Sequence, residues 1–424
     1  MSLFTVSAIL LTLAALFGTL NSRWLKLNPA VGLLLISLTS SLGVMLIHWL
    51  WPGFALDASI RGFLRGIDFN AALMHGMLGF LLFAGALHAD LDYFLQRRLS
   101  IGLLATVGLL ISTALVGVMA KLLFGALGLE ASWLACLVFG ALISPTDPIA
   151  VMGTLKSLHA PPALEAKIAG ESLFNDGVAV VVFTGLVALI ESHGGGASGG
   201  HGHGGEALGP MGLIWLFLRE AGGGALLGLA AGYVTYRLML AIDDYKVEVM
   251  LSLALVMGGY SLAGALHLSG PIAVVTAGIF IGNRGRALAM SETVADYLEK
   301  FWELLDEILN AVLFLLIGVE VLLLSFSARS ALAGLACIAI VLLARLVSVA
   351  LPIGLLRSRR IFNRGVVRIL TWAGLRGGIS VALALSLPPI PEKSLILTCT
   401  YVVVLFSILV QGMTVGRVLR RYIQ

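Results

Sequence analysis

Long apolar runs recur along the whole chain and decide the environment in which it folds. Thirteen runs reach about 20 residues, the length that a helix needs to cross roughly 30 Å of hydrocarbon. Because lipid cannot hydrogen-bond the backbone, such runs are expected to be helical. The sequence therefore predicts an all-α polytopic membrane protein of about thirteen transmembrane helices. The runs begin near residues 3, 29, 71, 100, 131, 167, 210, 247, 269, 305, 330, 366 and 393.

The composition excludes an ordinary soluble domain, because 59% of residues are hydrophobic, only 12% are charged and the mean hydropathy is +1.02. Of the 27 Lys and Arg residues, 19 fall in predicted inner segments, whereas the predicted outer loops hold only Arg61, Arg65, Arg329 and Lys393. The positive-inside rule then places the N-terminus outside and the C-terminus in the cytoplasm. The basic pI follows from this topology, and no nucleic-acid partner is needed to explain it.

A polar stretch interrupts the sixth apolar run at residues 170–177, whose sequence is GESLFNDG. It places two carboxylates, Glu171 and Asp176, where the surrounding residues are mostly Ala, Val, Leu and Phe. A charge at the centre of a bilayer helix costs about 2.5–3.5 kcal/mol on insertion scales, so it is rare without a polar partner or a task. Both carboxylates are therefore predicted to be functional.

Two other runs contain sequences that break a helix. Residues 144–148 (SPTDP) carry two prolines, which remove backbone donors and disfavour helix in the residue before each of them. Residues 374–378 (GLRGG) place three glycines around Arg376. The breaks lie in the fifth and twelfth runs, so the two helices run in opposite directions. A pair of interrupted helices in inverted halves is typical of a secondary transporter with its site near the midplane.

The polar stretch forms one patch on its helix. Residues four apart share a helix face, which puts Ser172 beside Asp176 and Glu171 beside Asn175. Arg376 is permanently charged and needs an anion, and we expect that anion to be Glu171.

The first break is expected to complete a cation site. It frees backbone carbonyls, and Thr146 adds a hydroxyl. Asp147 adds a carboxylate that either binds the ion or neutralises a helix N-terminus. Oxygen ligands from Asp176, Ser172, Thr146 and the backbone suit Na⁺, Li⁺ or K⁺. If Asp176 binds either a proton or a cation, a site open to one side at a time couples their opposite fluxes.

The stretches at 144–148, 170–177 and 374–378 resemble the signature sequences of the NhaP-like branch of the cation/proton antiporters, bacterial and archaeal relatives of the eukaryotic sodium/hydrogen exchangers. Their order and spacing match, and the layout is similar over essentially the whole chain. The resemblance implies an inverted-repeat antiporter fold with two crossing discontinuous helices, and a homodimer in the bacterial inner (plasma) membrane. It implies a transporter of monovalent cations and protons surrounded by lipid, with no cofactor and no enzymatic activity.

The resemblance also implies residue roles. Asp176 is the residue that binds Na⁺ and the proton, with Ser172 and Thr146 as further ligands. The supporting residues are Glu171 paired with Arg376, Asn175 beside Glu171, and Arg345 as a second core arginine. An Asn-Asp pair at 175–176 resembles the electroneutral members of the family, which exchange one cation for one proton.

The implied domain organisation alternates between two bodies. Residues 100–192 (spans 4–6) and 330–424 (spans 11–13) form the ion-carrying core, which moves against the rest in an elevator-like step. Residues 1–95 (spans 1–3) and 210–327 (spans 7–10) form the scaffold and dimerisation part. Residues 193–209 form a flexible outer loop rich in Gly and His.

Alternative functions remain open at this point. K⁺/H⁺ exchange through the same site differs only in cavity size. A membrane hydrolase is disfavoured because residues 170–174 lack the second glycine of the Gly-x-Ser-x-Gly nucleophile elbow. A channel or a sensor without transport is disfavoured because the polar residues form one asymmetric cluster rather than a ring of ligands.

Two further segments carry charges outside the main cluster. Residues 286–305 are predicted to form an amphipathic helix on the inner surface, leading into the tenth span. Asp90 lies near a family position linked to pH response, but capping of a helix explains it equally well.

Overall fold

The computed structural model describes residues 3–50, 72–193, 210–323, 327–357 and 365–423. Within these residues the chain is helical, and the only strand-like pairing is a single bridge between Asp147 and Leu375. Each of the thirteen predicted runs coincides with helix, and seven helices are long and apolar enough to cross a membrane by themselves. The prediction of an all-α polytopic membrane protein is confirmed, while the number of crossings stays a prediction.

The described residues contain the following helices of eight or more residues, in chain order. They are Leu3–Leu20, Pro29–Leu50, Leu78–Leu87, Leu91–Leu103, Leu109–Ala126, Trp133–Ile143, Ile149–Ser157, Pro162–His193, Pro210–Met239, Tyr245–Ala265, Gly270–Phe280, Glu292–Glu320, Ala328–Arg357, Val366–Ala373, Gly378–Leu385, Lys393–Phe406 and Gly412–Ile423.

Both predicted breaks are present. The first broken helix consists of Trp133–Ile143 and Ile149–Ser157, and the second consists of Val366–Ala373 and Gly378–Leu385. The Asp147 N–H donates to the Leu375 carbonyl at 2.8 Å, so the two extended gaps lie side by side and antiparallel. The prediction of two crossing discontinuous helices is confirmed.

Small residues let the first broken helix approach its neighbour. Trp133–Ile143 packs against Leu109–Ala126, where a Cβ added at Gly140 would overlap the Thr113 carbonyl oxygen. Such close backbone contact is characteristic of helix packing in membranes. The contact fixes the depth at which the first break begins.

Asp90 caps a helix. Its Oδ1 accepts from the N–H groups of Asp92 at 2.9 Å and Tyr93 at 3.2 Å, at the start of Leu91–Leu103. A π-helical turn at Leu104–Gly108 joins that helix to Leu109–Ala126, so the fourth run begins nine residues earlier than predicted, at 91 rather than 100.

The acidic segment after residue 285 differs from the predicted surface helix. Arg286–Ala289 is a short helix of its own, and Glu292–Glu320 is one continuous helix with no boundary at 305. Val294, Leu298 and Trp302 are buried on one face of it, which confirms its amphipathic character. These buried residues hold the acidic half of the helix against the protein.

The predicted outer loop at 193–209 begins at His193, the last residue of Pro162–His193. The remainder of the loop, with its histidines, lies outside the described residues.

Candidate functional site

Asp147 lies where both half-helices begin. Its Oδ1 accepts from the Ile149 N–H at 2.9 Å, at the start of Ile149–Ser157. A Cβ added at Gly377, the residue before Gly378–Leu385, would overlap its carboxylate. A negative charge at a helix N-terminus is favourable, so Asp147 stabilises the crossing. The expectation that it neutralises a helix N-terminus is confirmed; direct binding of an ion by Asp147 stays a prediction.

Arg376 takes the opposite position, at the end of the first half-helix. Its Nη1 donates to the carbonyls of Ser144 and, at 2.8 Å, of Pro145. A cation at a helix C-terminus is favourable for the same electrostatic reason. At these two carbonyls the donor is the guanidinium; binding of a cation by backbone oxygens at the break stays a prediction. Arg376 is therefore a residue that supports the structure of the site.

Glu171 forms a buried ion pair with Arg345. Arg345 Nη1 donates to Glu171 Oε1, and the side chains are only 8% and 2% exposed, respectively. Arg345 also donates to the Leu370 carbonyl from Nε at 3.3 Å and from Nη2 at 3.1 Å. The predicted pairing of Glu171 with Arg376 is therefore wrong, because Arg345 reaches Glu171 across the helix packing and Arg376 is held by carbonyls. Both arginines remain supporting residues.

Thr146, Asn175 and Ser172 form a hydrogen-bonded cluster between the first break and the Pro162–His193 helix. Asn175 Nδ2 donates to Thr146 Oγ1 at 2.8 Å, and the Thr146 N–H donates to Asn175 Oδ1 at 3.3 Å. Thr146 Oγ1 in turn donates to Ser172 Oγ at 3.4 Å. The double contact through Asn175 holds Thr146 in a fixed position, with its hydroxyl beside that of Ser172.

Asp176 stands apart from these contacts. Its side chain is buried, at 7% exposed, yet within the described parts of the chain it makes no hydrogen bond and no ion pair. The charge that acts on it is the carboxylate of Asp147. A buried carboxylate without a partner is costly, so it is suited to take up a cation or a proton.

A small cavity lies beside the cluster, lined by Thr146, Asp147, Glu171 and Ser172 among others. Its volume of about 10 Å³ is room for about one water molecule. No three His, Cys, Asp or Glu side chains in the described ranges stand close enough to hold a metal ion together. The polar oxygens that line the cavity are those of two hydroxyls and two carboxylates.

One neighbouring pair was missed in the sequence. Asn310 lies four residues after Asp306 on the same face of Glu292–Glu320, and it is buried with no hydrogen-bond partner for its Oδ1 among the described residues. The signal was present in the sequence as an acid and an amide at i and i+4, at the point where the acidic segment enters an apolar run.

Comparison with known proteins identifies the family. The "Sodium/hydrogen exchanger, transmembrane" family matches residues 9–421. The chain is 48% identical over 419 residues to the Na⁺/H⁺ antiporter NhaP of Pseudomonas aeruginosa, covering 98% of this chain and 96% of that one. It is 34% identical over 356 residues to the Na⁺/H⁺ antiporter NhaH of Halobacillus dabanensis, covering 83% of each.

A solved structure shares the fold. The sodium proton antiporter MjNhaP1 from Methanocaldococcus jannaschii, determined at pH 8, matches over 100% of both chains with a TM-score of 0.74 at 19% identity. The family is one of membrane transporters rather than enzymes. With matches over nearly its full length, this chain is a multi-pass membrane protein that belongs to the sodium/hydrogen exchanger family.

Proposed function

We propose that the protein exchanges Na⁺ or Li⁺ for H⁺ across the membrane, with Asp176 as the residue for which the two ions compete. The observation that carries the proposal is the buried carboxylate of Asp176, which has no partner among the described residues and lies one helical turn from Ser172, whose hydroxyl is beside that of Thr146. The names of the relatives, Na⁺/H⁺ antiporters in both cases, support the same substrates.

The geometry of the hydroxyls suits a small cation. Oxygen ligands of a hard cation such as Ca²⁺ lie about 2.3–2.6 Å from the metal, so neighbouring ligands at right angles are about 3.3–3.7 Å apart. The oxygens of Ser172 and Thr146 are 3.4 Å apart, within that range. The names of both relatives favour Na⁺ over K⁺, which is the alternative substrate.

Competition at one carboxylate accounts for coupling. With Na⁺ bound, the negative charge of Asp176 is compensated and a proton has no site; with a proton bound, the carboxylate no longer attracts Na⁺. Because Asn175 cannot titrate and is engaged with Thr146, one carboxylate carries one charge in each direction. Exchange is therefore one for one and electroneutral.

Alternating access is proposed to come from movement of the core, residues 100–192 and 330–424, against the scaffold. The ion pair with Glu171 joins Arg345, on Ala328–Arg357, to the Pro162–His193 helix, and Arg345 also donates to the Leu370 carbonyl of the second broken helix. Arg376 joins the two broken helices to each other, so the site can move as one unit. We further propose a homodimer in the bacterial inner membrane, with the N-terminus outside and the C-terminus in the cytoplasm, as the distribution of basic residues favours.

Cation substitution tests the proposed function. In inside-out vesicles that contain a pH-sensitive dye, Na⁺ and Li⁺ are expected to cause proton movement, and K⁺ is expected to cause much less. Because exchange is electroneutral, collapsing the membrane potential with valinomycin in vesicles with equal K⁺ on both sides should leave the initial rate unchanged.

Vesicles from cells without the protein provide the control for both measurements. A response to K⁺ equal to that to Na⁺ would contradict the cation preference. A rate that changes when the potential is removed would contradict one-for-one exchange. If none of the three cations causes proton movement, the proposed function itself is contradicted.

A further inference from the structure

A second small cavity lies beside the break in the second broken helix. Its polar lining comes from Arg345, Arg376 and Gln411, together with Gly374 at the break, and apolar side chains such as Leu342 complete it. Its volume of about 10 Å³ is room for one water molecule or one small ion. None of the residues proposed to bind Na⁺ lines this cavity, so it is separate from the candidate cation site.

Arg376 brings to this cavity a charge that no acid pairs with. Its Nη1 donates to the carbonyls of Ser144 and Pro145, and it forms no ion pair within the described residues. Its Nη2 is buried and has no hydrogen-bond partner there, in a residue that is 2% exposed. An arginine cannot lose its proton in a protein, so the buried charge persists and needs an acceptor.

Arg345 adds a second guanidinium to the same cavity. A Cβ added at Gly374 would lie 2.4 Å from Arg345 Nε, so this side chain lies directly against the backbone of the break. Glu171 compensates Arg345 from outside the cavity. Two positive charges therefore line the cavity, and one carboxylate pairs with them. The excess of one positive charge attracts an anion.

The hydrogen-bonding groups of the cavity favour an anion over a water molecule. The two arginines only donate. Gln411 Nε2 donates to the Trp372 carbonyl at 3.2 Å, and Gln411 Oε1 already accepts from Ser407 Oγ at 2.8 Å. A water molecule needs acceptors for its own protons, and donors exceed acceptors among the side chains that line this cavity. An anion only accepts.

We propose that this cavity binds one chloride ion, with Arg376 Nη2 as its main donor and the Arg345 guanidinium beside it. The chloride compensates the charge of Arg376 and so stabilises the second break, whose Arg376 N–H is held by Ser407 Oγ at 2.8 Å. Chloride binding at this position is independent of the proposed Na⁺/H⁺ exchange. It gives the core a structural anion in addition to the transported cations.

The experiment measures binding of radioactive chloride to the purified protein by equilibrium dialysis, in sodium gluconate at constant Na⁺. We expect saturation at about one chloride per chain, with displacement by bromide and none by gluconate, which is too large for the cavity. Chloride at 10 times its Kd should lower the equilibrium constant of unfolding about 11-fold. The corresponding rise in Tm over gluconate alone is about 2–4 °C.

Leu342→Phe fills the cavity without removing a polar group, and it should weaken chloride binding at least about 10-fold. Its Tm should then be the same in chloride and in gluconate. Leu343→Phe is the matched control, because it makes the same change at the next residue, which is 47% exposed. That variant should bind chloride like the wild type.

A direct measurement does not depend on any variant. Crystals of the wild type soaked in NaBr should show an anomalous peak within hydrogen-bonding distance of Arg376 Nη2. Absence of saturable chloride binding, with equal Tm values in chloride and gluconate, would overturn the chloride site and leave water in the cavity. Wild-type affinity in Leu342→Phe, or a bromide peak only elsewhere, would overturn it equally.

Discussion

Replacing Asp176 by asparagine is expected to abolish Na⁺-driven proton movement while the protein still folds and inserts. Asparagine keeps the size of the side chain but can neither titrate nor compensate a cation with a full charge. Because Asp176 makes no hydrogen bond or ion pair in the described parts of the structure, no contact that stabilises the fold is lost. Removing an unpaired buried charge should leave the melting temperature unchanged or raise it.

The measurement is the initial rate of dye quenching in inside-out vesicles, together with the melting temperature of the purified protein. Asp92→Asn is the matched control: it makes the same chemical change at an exposed acid in the first turn of Leu91–Leu103, remote from the cluster in sequence. We expect Asp176→Asn to show the background rate and Asp92→Asn the wild-type rate. Retained exchange in Asp176→Asn would show that another group carries the proton.

Replacing Glu171 by glutamine is expected to destabilise the fold by about 3–5 kcal/mol, because it leaves the buried Arg345 guanidinium without a counter-ion. The sequence assigned this effect to Arg376; the structure assigns it to Arg345. The cost comes from one uncompensated buried charge, so removing the second charge should recover part of it. The double variant Glu171→Gln with Arg345→Met is accordingly expected to melt above the single variant.

Glu299→Gln is the control for this loss of stability, because it breaks an exposed ion pair in the same protein. It breaks the exposed Arg286 to Glu299 bridge, whose side chains are 58% and 41% exposed, and an exposed pair contributes only about 0–1 kcal/mol. In thermal unfolding in detergent, the melting temperature of Glu299→Gln should be close to that of the wild type, and the melting temperature of Glu171→Gln should be well below it. Equal melting temperatures for these two variants would mean that Glu171 is not a structural support.

The broken helices could be predicted from sequence because their cause is local. Pro145 and Pro148 lack the backbone N–H that a helix requires, and glycines flank Arg376. The polar patch on the Pro162–His193 helix could also be predicted, because side chains four residues apart share a helix face in any environment. The structure accordingly brings Thr146 to Ser172 as expected. The hydrogen bonds of Asn175 with Thr146 were not predicted, because the sequence placed Asn175 beside Glu171.

The partners of the two arginines could not be predicted from the sequence in this way. Two buried arginines and one supporting carboxylate allow two pairings, and the choice depends on how Ala328–Arg357 packs beside Pro162–His193. Charge alone favoured Arg376 as the partner of Glu171. In the structure, the end of the first half-helix has two carbonyls that need a donor, and Arg376 donates to both. Asn310 was missed for a related reason: an amide in an apolar helix attracts no notice until the structure shows that it is buried with its oxygen unpaired among the described residues.

Proton release on Na⁺ binding tests the central claim most directly, because it follows the competition at Asp176 without transport. Purified protein in weakly buffered detergent solution is titrated with NaCl at a pH where the site is protonated, and released protons are measured with a pH dye. We predict about one proton released per Na⁺ bound by the wild type and none by Asp176→Asn. Na⁺ binding by the wild type without proton release, or equal release from Asp176→Asn, would contradict the claim.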